Sequence, residues 1–360
     1  MESFQFHMAR DKNTISLSPN FILPEENRPK LSHVSTLASI PIIDLSIEHN
    51  TQEGPSLLVE KISQACEEYG FFQIINHGVP QELCKRTLST IADFFSSPPQ
   101  ERSQFLTTDF TKQVKIINFH LKFQGQENVT MWSETFRHPW DPIGDFASLL
   151  PENPPQYREV FVEYAKEMGE LMKRLLGLIS QGLGLENDCL QNKLGENPMM
   201  NAHANFYPPC PDPELTLGLA VHTDLNALTV LMQSEEVSGL QVMKDGKWVA
   251  VDPVPDAFTI NLGDQLQVLS NGRYKSVHHR AVTNKMQPRI SLAMFYGPNK
   301  DALIGPIEDL IDEEHPPLYR RYSYAEFVEE FLRQEGTRRM VKEVFELPRN
   351  DQEIGPLTTV

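Results

Sequence analysis

A histidine and an aspartate two positions apart are the first residues of this chain whose types and spacing could bind a metal ion. They are His222 and Asp224, within the segment Leu-Ala-Val-His-Thr-Asp-Leu-Asn at 219–226. If this segment is extended, side chains at i and i+2 point to the same face, so the imidazole and the carboxylate can converge on one ion. A third ligand must then come from another segment.

The run Ser-Val-His-His-Arg-Ala-Val at 276–282 offers that third ligand. In a strand, His278 and His279 face opposite sides, so only one of them can reach the ion, and alternation alone does not say which. Two histidines and one carboxylate form the facial triad of non-haem Fe(II) oxygenases, which leaves three positions of an octahedron open. The predicted site therefore has room for a co-substrate and O2.

Arg289 and Ser291 form a second i, i+2 pair in the apolar run Pro-Arg-Ile-Ser-Leu-Ala-Met-Phe at 288–295. A guanidinium group binds a carboxylate through two parallel hydrogen bonds, and a nearby hydroxyl adds a third donor. Because an arginine that faces a core without a partner is costly, the pair predicts a bound anion such as the far end of a dicarboxylate.

Two other functions are compatible with parts of this pattern. A hydrolase could hold zinc at the same three ligands, although an anion pocket would have no place in it. A metal-binding jelly-roll could also lack catalysis altogether. A single His-x-Asp or Arg-x-Ser is more often a surface feature, whereas the full set in this order indicates function.

With these residues in place, the chain resembles the plant soluble 2-oxoglutarate- and Fe(II)-dependent dioxygenases, which are related to isopenicillin N synthase. The pattern is His-x-Asp, a histidine some fifty residues later, and Arg-x-Ser ten residues beyond it. The segments Ile-Pro-Ile-Ile-Asp-Leu at 40–45, Tyr-Gly-Phe-Phe-Gln-Ile-Ile-Asn-His-Gly at 69–78 and Asn-Phe-Tyr-Pro-Pro-Cys-Pro at 205–211 agree with it. The resemblance spans about Pro24 to Phe331, and its ten-residue spacing to Arg289 selects His279 over His278.

The resemblance implies an enzyme that uses Fe(II), O2 and 2-oxoglutarate, with ascorbate as reductant. Such an enzyme hydroxylates or desaturates a small plant specialised metabolite while 2-oxoglutarate becomes succinate and CO2. It also implies that Asn205 and Tyr207 lie beside the 2-oxoglutarate, where Tyr207 binds the carboxylate at its metal end. An oxidase of the same family that needs no 2-oxoglutarate is the alternative.

Within the family, the wording at 28–34, 210–216, 222–229 and 261–267 is similar to the salicylate-hydroxylase and flavone-synthase-like branch associated with downy mildew susceptibility. The chain departs from that branch at 113–117 and at Ser133, where relatives carry an arginine. We therefore expect poor turnover of salicylate and better turnover of a larger neutral ring system. Residues 121–136 and Phe295 are expected to determine substrate choice, and the expected substrate contacts are Phe119, Phe123, Trp132, Phe136, His203 and Phe295.

Composition limits the partners and the compartment. With 32 Lys and Arg against 49 Asp and Glu, the net charge is −17, which argues against nucleic acid and anionic membranes. Four cysteines without C-x-x-C spacing predict neither a disulfide framework nor a zinc cluster, and fit a reducing cytosol. No signal peptide or membrane span is predicted, so we expect a soluble, cytoplasmic monomer that binds a small-molecule substrate.

The hydrophobic periodicity predicts the domain organisation. Short strands with frequent turn residues fill 199–300 and predict a double-stranded β-helix, or jelly-roll, as the core of a mainly β fold with flanking helices. An N-terminal arm (1–39) and an α/β region (40–198) precede this core, and a helical segment (301–360) follows it. Strands are predicted at 40–45 and 71–75, and helices at 57–69, 157–183 and 316–335.

Overall fold

The computed structural model describes residues 17–35, 40–49, 52–107, 109, 112–123, 128–141, 146–334 and 340–348. Parts of the predicted arm and of the C-terminal segment lie outside these ranges, and the four-part division of the chain stays a prediction. Among the described helices, none combines the length and the apolar character needed to cross a membrane.

The strands, in chain order, are β1 (Ile42–Asp44), β2 (Phe71–Ile75), β3 (Lys115–Ile117), β4 (His120–Leu121), β5 (Val129–Thr130), β6 (Glu134–Pro139), β7 (Met199–Tyr207), β8 (Leu219–His222), β9 (Leu228–Gln233), β10 (Leu240–Lys244), β11 (Lys247–Val251), β12 (Phe258–Leu262), β13 (His279–Ala281), β14 (Arg289–Gly297), β15 (Leu303–Ile304) and β16 (Tyr322–Ser323). The helices are α1 (Gly54–Glu68), α2 (Gln81–Ser96), α3 (Pro99–Arg102), α4 (Tyr157–Gly182), α5 (Cys189–Leu194), α6 (Asp264–Leu269) and α7 (Tyr324–Arg333).

Two sheets form the core. The larger has eight strands in the order β1-β2-β12-β9-β14-β7-β6-β3, and the smaller has four in the order β11-β10-β13-β8. Neighbours in these orders are mostly distant in sequence, as in a jelly-roll. The predicted fold class, mainly β with flanking helices around a jelly-roll, is confirmed. Four strands from before residue 199 extend the larger sheet.

The two faces of the larger sheet differ sharply in polarity. Alternate residues on one face are apolar, among them Ile74, Ile260, Val230, Met294 and Ala204, and join the main hydrophobic core with the helices. The residues between them are mostly polar and are cross-strand partners of one another: Gln73, Thr259, Asn261, Thr229, Gln233, Ser291, Arg289, Asn205 and Tyr207. Since the helix-side face is buried in apolar contacts, the polar face is the interior of the jelly-roll.

Helix α4 supports the helix-covered face. Its buried stripe includes Phe161, Tyr164, Met168 and Leu175, and α1, α2 and α5 pack against it. The predicted helices at 57–69 and 157–183 are confirmed within a few residues. Helix α2 was not predicted, although its buried residues recur at helical spacing. The predicted helix at 316–335 is wrong in extent, because α7 begins only at Tyr324. Ser323 caps its N-terminus, where the Ser323 hydroxyl accepts a hydrogen bond from the Glu326 amide.

Candidate active site

The two histidines and the aspartate converge at one edge of the smaller sheet. His222 ends β8, His279 begins β13, and these residues are direct cross-strand partners with ring centroids 4.1 Å apart. Oδ1 of Asp224 lies 3.6 Å from Nε2 of His222 and 3.7 Å from Nε2 of His279. One ligand atom from each residue lies within 4.8 Å of the others, so the three could bind one metal ion.

The route by which Asp224 reaches the site differs from the expectation. If the segment were extended, strand alternation would bring His222 and Asp224 to one face, but β8 ends at His222. The loop that follows is held by backbone hydrogen bonds: the Asp264 amide donates to the Asp224 carbonyl at 2.8 Å, and the Gly263 amide donates to the Ala227 carbonyl at 2.7 Å. The convergence therefore depends on contacts with the start of α6 rather than on strand alternation.

Hydrogen bonds fix which atoms of the triad face the site. Nδ1 of His222 lies 2.8 Å from the Ala220 carbonyl, and Nδ1 of His279 lies 3.1 Å from the Val277 carbonyl. Because a carbonyl only accepts, each Nδ1 carries the proton and each Nε2 keeps a lone pair for a metal. This arrangement makes both rings competent ligands in their neutral form.

The aspartate is oriented in the same way. Its Oδ2 accepts from the Thr229 hydroxyl at 2.6 Å and from the Asn261 amide at 2.7 Å, both within the buried interior. Oδ1 is left to face the two histidines. Thr229 and Asn261 were not predicted from the sequence, although each is a polar residue between two apolar residues of its strand.

The protonation states near neutral pH suit metal binding. Burial, and then the adjacent His222 ring, lower the pKa of His279 to about 4. Burial by itself raises the pKa of the Asp224 carboxyl, but His279, His222 and Thr229 outweigh burial and hold that pKa below its ordinary range. A neutral imidazole and an ionised carboxylate are the forms that coordinate a metal.

A buried ion pair ties the metal-binding loop to the C-terminal segment. Nζ of Lys342 lies 3.2 Å from Oδ1 of Asp264, and the two side chains are 9% and 5% exposed. Oδ2 of Asp264 accepts from the Thr223 hydroxyl at 3.1 Å, between the two ligands of the His-x-Asp pair. The segment after α7 thus supports the loop that carries Asp224.

Replacing Lys342 by Met is expected to lower the free energy of unfolding by about 3 to 5 kcal/mol, because it leaves Asp264 as an uncompensated buried charge. Denaturant unfolding measures this change. Lys173→Met is the matched control: its partner is Glu170, the side chains are 57% and 77% exposed, and its loss should cost at most about 1 kcal/mol. Equal effects of the two substitutions would contradict this role for Lys342.

The second part of the site lies on the facing larger sheet. Arg289 and Ser291 begin β14 and pair with Tyr207 and Asn205 of β7. The guanidinium carbon of Arg289 lies 5.0 Å from the Tyr207 ring centroid. The structure thus brings together on one interior face the four residues expected to bind 2-oxoglutarate.

Arg289 lacks an anionic partner in the part of the chain that the structure describes. It is 2% exposed, its Nη2 donates to Oε1 of Gln233 at 2.7 Å, and its buried Nε has no hydrogen-bond acceptor there. A buried guanidinium with an unused donor is costly unless an anion binds it. A carboxylate of 2-oxoglutarate fits this requirement, so the residues present suit that co-substrate.

Two glycines make room for this pocket by close approach. A Cβ at Gly239 would lie 2.7 Å from Cδ of Arg289, and one at Gly218 would lie 2.5 Å from Cδ1 of Tyr207. Any larger residue would displace these side chains.

Hydrogen bonds hold Asn205 in this pocket. The Thr135 hydroxyl donates to Oδ1 of Asn205 at 2.7 Å, and Nδ2 of Asn205 donates to the Ser291 hydroxyl at 3.4 Å.

His278 and His279 can now be told apart by their surroundings. His279 is buried at the triad, whereas His278, which by alternation points to the other side of the segment 276–282, is partly exposed. We expect His278→Ala to keep metal binding and turnover, and His279→Ala to lose both, since only His279 offers a nitrogen to the ion. Iron content and succinate release measure this, and the opposite result would contradict the assigned register.

The expected substrate contacts divide into two groups. His203 and Phe295 are cross-strand neighbours on the interior face, with ring centroids 4.8 Å apart, and the Phe119 ring lies 6.4 Å from His203. Phe123 is partly buried in the adjoining cluster around Val129 and Leu217. These four residues stay candidates for substrate contact.

Phe136 and Trp132 require correction. Phe136 is fully buried on the helix side of β6, 4.5 Å from Phe94 and 5.9 Å from Tyr157 between ring centroids, because it has the opposite strand phase from Thr135. Trp132 packs edge-on against Phe21 at 4.9 Å, where the described part of the N-terminal arm covers it. Both are packing residues, and aromatic content alone could not reveal this.

Comparisons with known proteins agree with this geometry. A profile described as the 2OG-Fe(II) oxygenase superfamily matches residues 195–298, and one described as the N-terminal region of non-haem dioxygenase in morphine synthesis matches residues 40–160. The chain is 43% identical to Protein DOWNY MILDEW RESISTANCE 6 of Arabidopsis thaliana over 88% of this chain and 91% of that protein. It is 40% identical to flavanone 3-dioxygenase 2 of Oryza sativa subsp. japonica, over 86% and 89% of the two chains.

A solved structure agrees over a still larger share of the chain. The crystal structure of JOX2 in complex with 2OG, Fe and JA superposes with a TM-score of 0.84 and 35% identity. The match covers 95% of this chain and 97% of that one. The fold and the family resemblance drawn from the sequence are thereby confirmed.

Proposed function

The chain belongs to the 2OG-Fe(II) oxygenase superfamily and is an Fe(II)- and 2-oxoglutarate-dependent dioxygenase, and from this premise we propose that it hydroxylates or desaturates a small plant specialised metabolite. We assign Fe(II) to His222, Asp224 and His279, and the far carboxylate of 2-oxoglutarate to Arg289 and Ser291. The observation that carries the assignment is that a triad of oriented metal ligands and a buried guanidinium, which has no anionic partner among the described residues, line the same interior.

When bound, Fe(II), 2-oxoglutarate and O2 would supply the oxidising chemistry, in which 2-oxoglutarate takes up one oxygen atom and is converted to succinate and CO2. The protein contributes orientation. Thr229 and Asn261 hold Asp224 with one oxygen toward the site, and the carbonyls of Ala220 and Val277 hold the two rings. A metal ion held by these three side chains would have positions left for co-substrate and oxygen.

Arg289 is positioned to set the direction of the co-substrate. Its guanidinium carbon lies 5.0 Å from the Tyr207 ring centroid, Gln233 accepts from Nη2, and the buried Nε has no acceptor among the described residues. Burial raises the pKa of the Tyr207 hydroxyl, which therefore stays protonated and can donate to an anion. We assign the lining of the substrate space to His203 and Phe295, whose ring centroids lie 4.8 Å apart on the interior face.

The proposed function is tested by incubating the purified enzyme with Fe(II), ascorbate, 2-oxoglutarate and a plant metabolite extract. We expect succinate to be released together with a compound heavier by one oxygen atom, or lighter by two hydrogen atoms. The matched control omits 2-oxoglutarate. Product formation without it would indicate the 2-oxoglutarate-independent oxidase, and a failure to release succinate under any condition would contradict the proposal.

A further inference from the structure

Arg137 lies on the interior face of the larger sheet, although its sequence neighbours are packing residues. Thr135 fixes the phase of β6, because its hydroxyl bonds to Asn205 in the interior, while Phe136 faces the helices. Side chains two positions apart on a strand share a face. The register confirms the placement: Arg137 is the cross-strand partner of His203, as Thr135 is of Asn205.

The guanidinium of Arg137 is held by neutral groups. Its Nε and Nη2 donate to the same oxygen, Oδ1 of Asn201, at 3.4 and 3.3 Å. Burial lowers the pKa of this side chain, which is only partly exposed. Throughout the described ranges, no carboxylate forms an ion pair with it. Most of its five donors therefore remain available.

A second cation lies directly across from it. Lys115, which is 5% exposed, pairs with Arg137 in the register of β3 and β6. Like charges opposite each other on neighbouring strands destabilise a sheet. Burial and then the neighbouring Arg137 guanidinium lower the pKa of Lys115, and Asp109 partly offsets them. Two cationic side chains thus lie beside each other on β3 and β6.

The position of Arg137 places it at the substrate end of the interior. The His203 ring lies within electrostatic range of Arg137 and also of Asp224 and His222. Arg289 pairs with Tyr207 and Arg137 pairs with His203, four residues apart on β7, which corresponds to about 13 Å along the strand. The two arginines therefore lie beside different residues of β7, and the far carboxylate of 2-oxoglutarate is assigned to Arg289, which leaves Arg137 for a different anion.

We propose that Arg137 binds a carboxylate of the prime substrate, and that the enzyme oxidises small organic acids at a carbon held between this arginine and the metal ligands. A planar guanidinium matches a carboxylate through two parallel hydrogen bonds. The proposal rests on the proposed function and adds the substrate class to it. Arg137 is thereby a specificity residue that contacts the substrate.

A substrate carboxylate bound by Arg137 differs from the neutral substrate that was expected from the sequence. That expectation rested on the absence of an arginine at position 133. Ser133 is in fact 1% exposed, and its hydroxyl donates to the Gly218 carbonyl at 2.6 Å, so it contributes no charge to the interior. The cation on this wall comes from Arg137, four residues later.

Calorimetric binding to the enzyme loaded with Fe(II) and 2-oxoglutarate, without oxygen, tests the proposal. The probes are three acids of increasing size, salicylate, trans-cinnamate and naphthalene-1-acetate, each beside its primary amide. We expect at least one acid to bind about ten- to a hundredfold more tightly than its amide, the range of a charge-assisted pair. If no acid is preferred to its amide, or none binds, the inference is overturned.

Substitution then assigns the preference to a residue. Arg137→Gln, which can still bond to Asn201, should abolish the preference for the acid, and Arg137→Lys should keep only part of it because lysine lacks the planar geometry. Arg86→Gln removes the same charge from an exposed ion pair with Glu163 and should leave the preference intact. A preference that survives in Arg137→Gln would overturn the inference.

The proposed function and the role of Arg137 can be tested separately. Succinate release with the metabolite extract depends on the metal triad and on Arg289, and does not require that the substrate be an acid. Release of succinate without any acid preference would therefore contradict the role of Arg137 alone. Absence of succinate, with acids still preferred in binding, would contradict the proposed reaction instead.

Discussion

Replacing Asp224 by Ala is expected to release the metal and to reduce succinate formation to less than about a tenth of the native rate, because it removes one of only three protein ligands. His222→Ala should have the same effect. The measurements are iron bound per chain after gel filtration and succinate formed from 2-oxoglutarate. Native-like activity in both variants would contradict the assigned triad.

The fold must be shown to survive these changes. Asp224→Ala leaves the Thr229 hydroxyl and the Asn261 amide without their acceptor, at a cost of about 1 to 3 kcal/mol for each. Asp224→Asn provides a second variant of nearly the same size, whose amide oxygen can still accept one of these bonds. Asp309→Ala, at an exposed position, is the control for the preparation. If Asp224→Ala and Asp224→Asn both lose iron, and Asp224→Asn unfolds like the native enzyme, the effect is due to lost metal coordination.

Replacing Arg289 by Lys is expected to raise KM for 2-oxoglutarate by about ten- to a hundredfold, although the charge is kept. A lysine ammonium is a point charge that cannot bind both oxygens of a carboxylate in one plane, and it would also lose the contact with Gln233. Initial rates of succinate release at varied 2-oxoglutarate measure this change. The expected effect lies on KM, because the substitution leaves the metal ligands in place.

Arg280→Lys is a matched control for that experiment. Arg280 is also buried, but it lies on the opposite face of β13, where its guanidinium carbon is 4.0 Å from the Trp248 ring centroid and its Nε donates to Gln241. This variant should lose stability without a rise in KM for 2-oxoglutarate. An unchanged KM in Arg289→Lys, or an equal rise in both variants, would contradict the assigned pocket.

The parts of the site that could be predicted from sequence are those encoded by short spacing. The pair Arg289 and Ser291 lies on one strand, so alternation was enough to place both side chains in the interior. The His-x-Asp pair was identified although its strand assignment was wrong beyond His222, because a loop residue two positions away can still reach the same ion. Whether two nearby ligands can reach one ion therefore depends less on the local secondary structure than does the face to which a strand residue points.

The supporting residues could not be predicted because they come from strands that are neighbours only in space. Thr229 and Asn261 bond to the same oxygen of Asp224 from β9 and β12, and Lys342 reaches Asp264 across 78 positions. Their types gave a hint, since buried polar residues in apolar strands need a partner. The identity of that partner required the strand order.

The substrate wall shows the same limit. Residues 121–136 were expected to determine substrate choice, with Phe136 as a substrate contact, but a change of one position in strand phase moves a side chain to the opposite face. Phe136 consequently faces the helices and Arg137 faces the interior. Composition could not distinguish these two outcomes, whereas the hydrogen bond from Thr135 to Asn205 does.

Oxygen labelling tests whether this enzyme divides O2 between 2-oxoglutarate and the substrate. The enzyme with Fe(II), ascorbate, 2-oxoglutarate and the metabolite extract is allowed to react under 18O2, and the succinate is examined by mass spectrometry. A dioxygenase of this family divides O2 between co-substrate and substrate. We therefore expect the native enzyme to form succinate that carries one 18O atom, and Asp224→Ala to form no labelled succinate. Succinate without label, or equal labelled succinate from the variant, would contradict this expectation.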